Sequence, residues 1–298
     1  MEVSVSQNNK VSLFEGVVGL GAGYASYQGA QRLLKKPYGK YLLKELTSVP
    51  QDQNDAMWKA AQKAFKTSDL TNKKVKIVDL NSANFEKFKD EVIKKHFETK
   101  KNNKEIYAEK LLKKLENKQK KKLEQSIRSI SKGENACYIP KMETVAVNSK
   151  KMAFSTFHEI GHSINHASKG FAGKLHACRN YFALLAPVLL ITSMLKKKKA
   201  KEDKPKGLWD KTTTFIKENC GKLMFACMIP TIAEEGLASV NANKLAKKVL
   251  SPELLKKMNN LNFKAWTSYV AAATIMSGCG ALAVWIKDRV AQPELANK

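Results

Sequence analysis

The sequence predicts a mainly α-helical chain with a small β-sheet, an α+β fold that also carries hydrophobic helices of membrane length. Three observations lead there. Residues 265–286 form a 22-residue run without a charge, bordered by Lys264 on one side and by Lys287, Asp288 and Arg289 on the other. Trp266, Tyr269 and Trp285 lie near its ends, so both length and flanks are those of a membrane-crossing helix. Segments 84–93 and 106–115 place apolar residues at helical spacing among charges, the pattern of surface amphipathic helices. Residues 75–80 alternate like a strand and can join a small sheet.

In chain order, four segments follow. Residues 1–50 hold an apolar, glycine-rich stretch, 11–27, with Gly19 and Gly23 in G-x-x-x-G spacing and the basic residues Arg32, Lys35, Lys36 and Lys40 after it. A secretory signal has its basic cluster before the apolar run, so this one reads as a membrane-associated segment. Residues 51–176 are the basic helical region, the small sheet and the helix discussed next. Residues 177–262 contain two short apolar runs, 181–195 and 223–233, joined by a lysine-rich loop. The runs would cover only ~22 and ~16 Å of a ~30 Å hydrocarbon layer, so they read either as spans lengthened by flanking residues or as a partly inserted hairpin. Residues 263–298 are the C-terminal transmembrane helix, in which 277–281 (Ser-Gly-Cys-Gly-Ala) lets another helix approach closely.

The chemistry concentrates in His158-Glu159-Ile160-Gly161-His162. Helix positions four apart share a face, so both imidazoles can reach one metal ion. Glu159 projects beside them, where it can take a proton from an attacking water. Zinc in a hydrolytic site needs a third protein ligand and an open fourth position. His166 continues the row, but over eight residues a helix rises ~12 Å and turns ~80° away, so it ligates only if the helix breaks. The other candidates are Glu234 and Glu235, two carboxylates directly after an eleven-residue uncharged run, 223–233. Burying them is costly unless they meet a cation or a metal. A Glu from a second helix completing the set is the gluzincin arrangement.

The chain resembles the membrane-embedded gluzincin zinc metallopeptidases, the family of the CAAX prenyl-protein endopeptidase and the bacterial heat-shock membrane protease. That family follows H-E-x-x-H with a hydrophobic hairpin and then E-x-x-A-D. Here Glu235-Gly236-Leu237-Ala238-Ser239 fits E-x-x-A, with Ser239 where the family has Asp. The resemblance implies Zn²⁺ held by His158, His162 and Glu235, with Glu159 as general base. The family's Asp orients a ligating histidine; a serine brings a hydrogen bond but no charge. Upstream, residues 134–140 (with Asn135-Ala136) and 144–148 are similar to the strand pair that the family places before its zinc helix, which the strand at 75–80 can join in one sheet. The resemblance covers roughly residues 70–250.

Composition excludes competing classes. Net charge is +26, yet only four of the 53 basic residues are arginines. Without clustered aromatics or a known fold this speaks against nucleic acid and for an anionic lipid surface. Five cysteines without a C-x-x-C pair argue against a disulfide framework and for a reducing, cytoplasmic side. The expected protein is therefore an integral-membrane zinc endopeptidase acting on a peptide or protein substrate, membrane proteins included, with His176 as candidate oxyanion donor. Two rivals stand beside it: a catalytically silent membrane scaffold, which Ser239 favours, and an intramembrane zinc protease. Lys150, Lys151 and Lys169 close to the motif oppose the latter.

Overall fold

A computed structural model describes residues 36–97, 109–196 and 207–290, with isolated positions between 17 and 32. The expected N-terminal membrane segment at 11–27 lies almost wholly outside the described residues, as does most of the lysine-rich loop after 196. The fold is mainly α with one small sheet. The elements are α1 (Lys36–Thr47), α2 (Gln51–Lys66), β1 (Lys76–Asp79), α3 (Phe85–Phe97), α4 (Glu109–Ser131), β2 (Cys137–Ile139), β3 (Thr144–Val147) and a one-turn α5 (Ser149–Met152). There follow α6 (Thr156–Ala167), α7 (Phe171–Leu195), α8 (Gly207–Glu218), α9 (Cys220–Ala246) and α10 (Pro252–Val290).

The chain gathers into two compact units. One comprises Lys40–Ala177 and Glu234–Trp266; the other comprises Met1–Gly39, Cys178–Ala233 and Thr267–Lys298. The helices α7, α9 and α10 contribute residues to both.

The first unit is built around the sheet, ordered β1-β3-β2. The alternating 75–80 segment does pair with the later strands: β1 runs parallel to β3, Ile77 opposite Val145, and β2 runs antiparallel to it, Tyr138 opposite Val145. The turn between β2 and β3 places Glu143 in the left-handed region at φ 50. Every residue of the central strand is buried, because successive side chains enter opposite cores. Val145 and Val147 face a cluster with Met57, Ala61, Phe154, Phe157, Ile160 and Met258. Ala146 faces a second cluster, where Phe88 and Val92 of α3 meet Ile127 and Ile130 of α4. The chain then turns into the short α5, whose first amide, Ser149 N–H, donates to Asp79 Oδ1 at 2.8 Å. This fixes the approach to α6, the helix that carries the two histidines.

Among the described residues, three helices are long and apolar enough to cross a membrane: α7 with 25 residues, α9 with 27 and α10 with 39. At ~1.5 Å per residue, even the shortest exceeds ~30 Å of hydrocarbon. The estimate from the uncharged runs 181–195 and 223–233 was too short, because the helices continue past Arg179 and Lys222. Only 17% of the most apolar window of α7 is buried within the protein, leaving Leu184, Val188, Ile191 and Leu195 exposed, a band of the kind that a membrane or an apolar partner covers. The small-residue stretch of α10 is where α9 comes close. A Cβ on Gly221 would lie 2.9 Å from Ala281 Cβ, and one on Gly280 only 2.4 Å from Met224 Sδ. Lys287, almost fully buried, donates to the carbonyls of Ser193 and Met194 at 3.1 and 3.4 Å and so caps the C-terminal end of α7.

With three such helices, full-length protein is expected to remain in the membrane pellet through an alkaline carbonate wash. Release into the supernatant without detergent would end the membrane assignment.

Candidate metal centre

The zinc-type motif lies on α6, whose helical register brings His158 and His162 onto one face, with Nε2 atoms 3.1 Å apart. The helix α9 supplies the rest. Its Glu235 places Oε2 3.1 Å from His158 Nε2 and 3.4 Å from His162 Nε2. The two helices meet this closely because residue 161 is glycine: a Cβ there would lie 2.0 Å from the Ala238 carbonyl oxygen.

Three donor atoms, two nitrogens and one oxygen, thus form a triangle with edges of 3.1, 3.1 and 3.4 Å. Ligand atoms of tetrahedral zinc with bonds of ~2.0–2.1 Å are ~3.3–3.4 Å apart, so the triangle has the size of one face of that tetrahedron. His158 is partly buried while His162 and Glu235 are buried. Donor chemistry and size both fit Zn²⁺.

The outward nitrogens of the same rings are also engaged. His158 Nδ1 lies 3.1 Å from Ser239 Oγ, and His162 Nδ1 lies 3.0 Å from Glu234 Oε1. This is how metal-binding histidines are oriented, Nε2 toward the ion and Nδ1–H toward an acceptor. At His158 that partner is the Ser239 hydroxyl, at His162 the Glu234 carboxylate.

Glu159, buried against β2, accepts a hydrogen bond from the Tyr138 backbone N–H at 2.7 Å. Burial pushes its pKa above the ordinary carboxylate range, against the pull of His162 and His158, which brings a base closer to neutral pH. For His162 burial acts downward, but hydrogen bonds to Glu234 and Glu235 outweigh it and lift the pKa to about 10.

The structure brings together His158, His162 and Glu235 and sets His166 apart. The α6 helix runs unbroken through Ala167, so His166 turns away and places Nδ1 2.8 Å from the Tyr138 hydroxyl. His176 does not stand as a free oxyanion donor through Nδ1, which lies 2.8 Å from Glu234 Oε1. Sequence reasoning missed the company of Glu234: His162, His176 and Asn165 all converge on it. The available signal was the tandem Glu234-Glu235 itself, since two adjacent helical residues point ~100° apart and cannot both face one ion. No protein family, curated protein or solved structure matches this chain.

Proposed function

We propose that the chain is a membrane-bound zinc-dependent endopeptidase of gluzincin type. The observation that carries this reading is the triangle of His158, His162 and Glu235 donor atoms next to a buried, hydrogen-bonded Glu159. Zinc held by those three residues would polarise a scissile carbonyl and bring the pKa of water toward ~7.

The residues supply the remaining steps. Glu159, oriented by Tyr138 N–H, takes the proton of the attacking water and delivers it to the leaving amine as the C–N bond breaks. A peptide or protein segment is the substrate class this chemistry implies; edge strand β2 borders β3 on one side only, and on its other side Tyr138 N–H is committed to Glu159. Three helices of membrane length favour substrates at a membrane, and a charge of +26 favours an anionic lipid surface. All five cysteines are free, which supports the cytoplasmic side. The motif helix α6 is not among the helices of membrane length, which favours a site outside the bilayer over intramembrane proteolysis. One observation favours a catalytically silent scaffold: His158 is oriented by a neutral hydroxyl, Ser239, and not by a carboxylate.

The test is zinc content together with cleavage of casein or a short-peptide library by detergent-purified protein. About one zinc per chain is expected, with activity lost on chelation and regained on adding zinc. His158→Ala and His162→Ala should lose the metal, while His166→Ala should keep it. Zinc retained without any cleavage would favour the scaffold, and loss of metal in His166→Ala equal to that in His162→Ala would move the third ligand away from Glu235. The pH dependence follows from His162. Its proton must leave for the metal to bind, so zinc affinity should rise about tenfold per pH unit between ~7 and ~9, below the folded pKa of about 10. Affinity independent of pH in that window would contradict a protonated His162 in the metal-free protein.

A further inference from the structure

Glu234 is completely buried, with 0% of its surface exposed. A carboxylate in such a place is costly unless N–H donors meet it. Three polar nitrogens converge on its Oε1: His162 Nδ1 at 3.0 Å, His176 Nδ1 at 2.8 Å and Asn165 Nδ2 at 3.1 Å. Asn165 is held in turn, its Oδ1 accepting from Asn241 Nδ2 at 2.7 Å. His162, His176 and Asn165 are themselves buried, so water does not compete for these bonds. Commitment of His162 Nδ1–H to Glu234 turns the lone pair of Nε2 toward His158 and Glu235, where the metal-binding triangle is.

We propose that Glu234 is the positioning residue of the metal centre: it sets the tautomer and ring plane of His162, and His176 and Asn165 hold it in place. This rests on the zinc reading given above. The two ligating histidines are then oriented unequally, His162 by a buried carboxylate and His158 by the Ser239 hydroxyl. A carboxylate raises the basicity of the imidazole it orients, whereas a hydroxyl does so only weakly. The charge missing at Ser239 is therefore supplied by the residue preceding the third ligand, and to the other histidine.

The same atoms admit a different use, since His162, His176 and Glu234 also lie within 4.8 Å of one another as a possible metal group. That use would make His162 bridge two ions through both ring nitrogens. Three N–H donors on one carboxylate oxygen instead describe a satisfied anion.

The experiment compares full-length wild type, Glu234→Gln and Ser239→Ala in detergent micelles. Zinc affinity is read by competition with a chromophoric chelator, coordination by the visible bands of the cobalt-substituted protein, and folding by melting of the metal-free form. Glu234→Gln is expected to lose about 10- to 100-fold in zinc affinity and to shift the cobalt bands. Its metal-free form should stay folded but melt somewhat lower than wild type, because the amide no longer balances the charge that Glu234 favours on His162. Ser239→Ala should lose less affinity. Unchanged affinity in a folded Glu234→Gln overturns the positioning role and leaves the zinc reading standing. Two zinc ions per wild-type chain, reduced to one in Glu234→Gln, overturn it in favour of a second metal. Wild type that takes up no zinc overturns both. Should Glu234→Gln fail to fold, His176→Leu removes one support of Glu234; a smaller loss of affinity is expected there, and no loss overturns the proposal.

Discussion

Glu159→Gln is expected to keep about one zinc per chain while losing at least ~10²–10⁴-fold in peptide hydrolysis, the usual range for removal of a general base. The glutamine has the same shape, and its amide oxygen can still accept from the Tyr138 N–H that now lies 2.7 Å from Glu159 Oε2. Only the basicity is lost. Because burial already works against the Glu159 charge, the neutral variant should melt no lower than wild type. Cleavage rates, zinc content and melting are measured side by side on the same preparations. A variant that hydrolyses peptides as fast as wild type would remove Glu159 from the mechanism. One that loses zinc would instead make Glu159 part of the metal's support.

Gly161→Ala should be as damaging by a different route. In an ordinary helix, alanine in place of glycine stabilises by ~1 kcal/mol. Here the added Cβ would lie 2.0 Å from the Ala238 carbonyl oxygen, 2.7 Å from its carbon and 3.0 Å from its Cα. All three atoms are backbone of α9, so no side-chain rotation relieves the clash and the helices must separate. Overpacking of this kind typically costs ~1–3 kcal/mol or more, which exceeds the propensity gain. The separation also pulls His158 and His162 away from Glu235, whose donor atoms are 3.1 and 3.4 Å from theirs. Lower melting temperature and loss of zinc are expected together. Gly170→Ala is the control, since its nearest neighbour, Ser168 Oγ, would be at an ordinary 3.6 Å. A Gly161→Ala protein that melts higher than wild type and still binds zinc would refute the close helix approach.

Much of this was legible because it depends on local periodicity. The alternation at 75–80 marked one strand, since a strand shows its two faces in every second residue, and the family resemblance marked the pair at 134–148. The 22-residue uncharged run marked the longest of the described helices that could cross a membrane. The full lengths of α7 and α9 were not legible, because charged residues such as Lys174, Arg179 and Lys222 lie within them and end an uncharged run without ending a helix.

The site divides the same way. That His158 and His162 share a face, with His166 turned off it, follows from 3.6 residues per turn and needs no fold. That a carboxylate from the 234–235 pair faces them was suggested by its place after an apolar run. The E-x-x-A resemblance pointed to Glu235 of the two, while helical periodicity by itself left the choice open. Neighbouring helical residues diverge by ~100°, and only the rotation of α9 against α6 aims Glu235 at both Nε2 atoms and Glu234 at Nδ1 of His162. That rotation is set by the contact of Gly161 with Ala238, two residues 77 positions apart in the chain, and no local pattern in either segment encodes it.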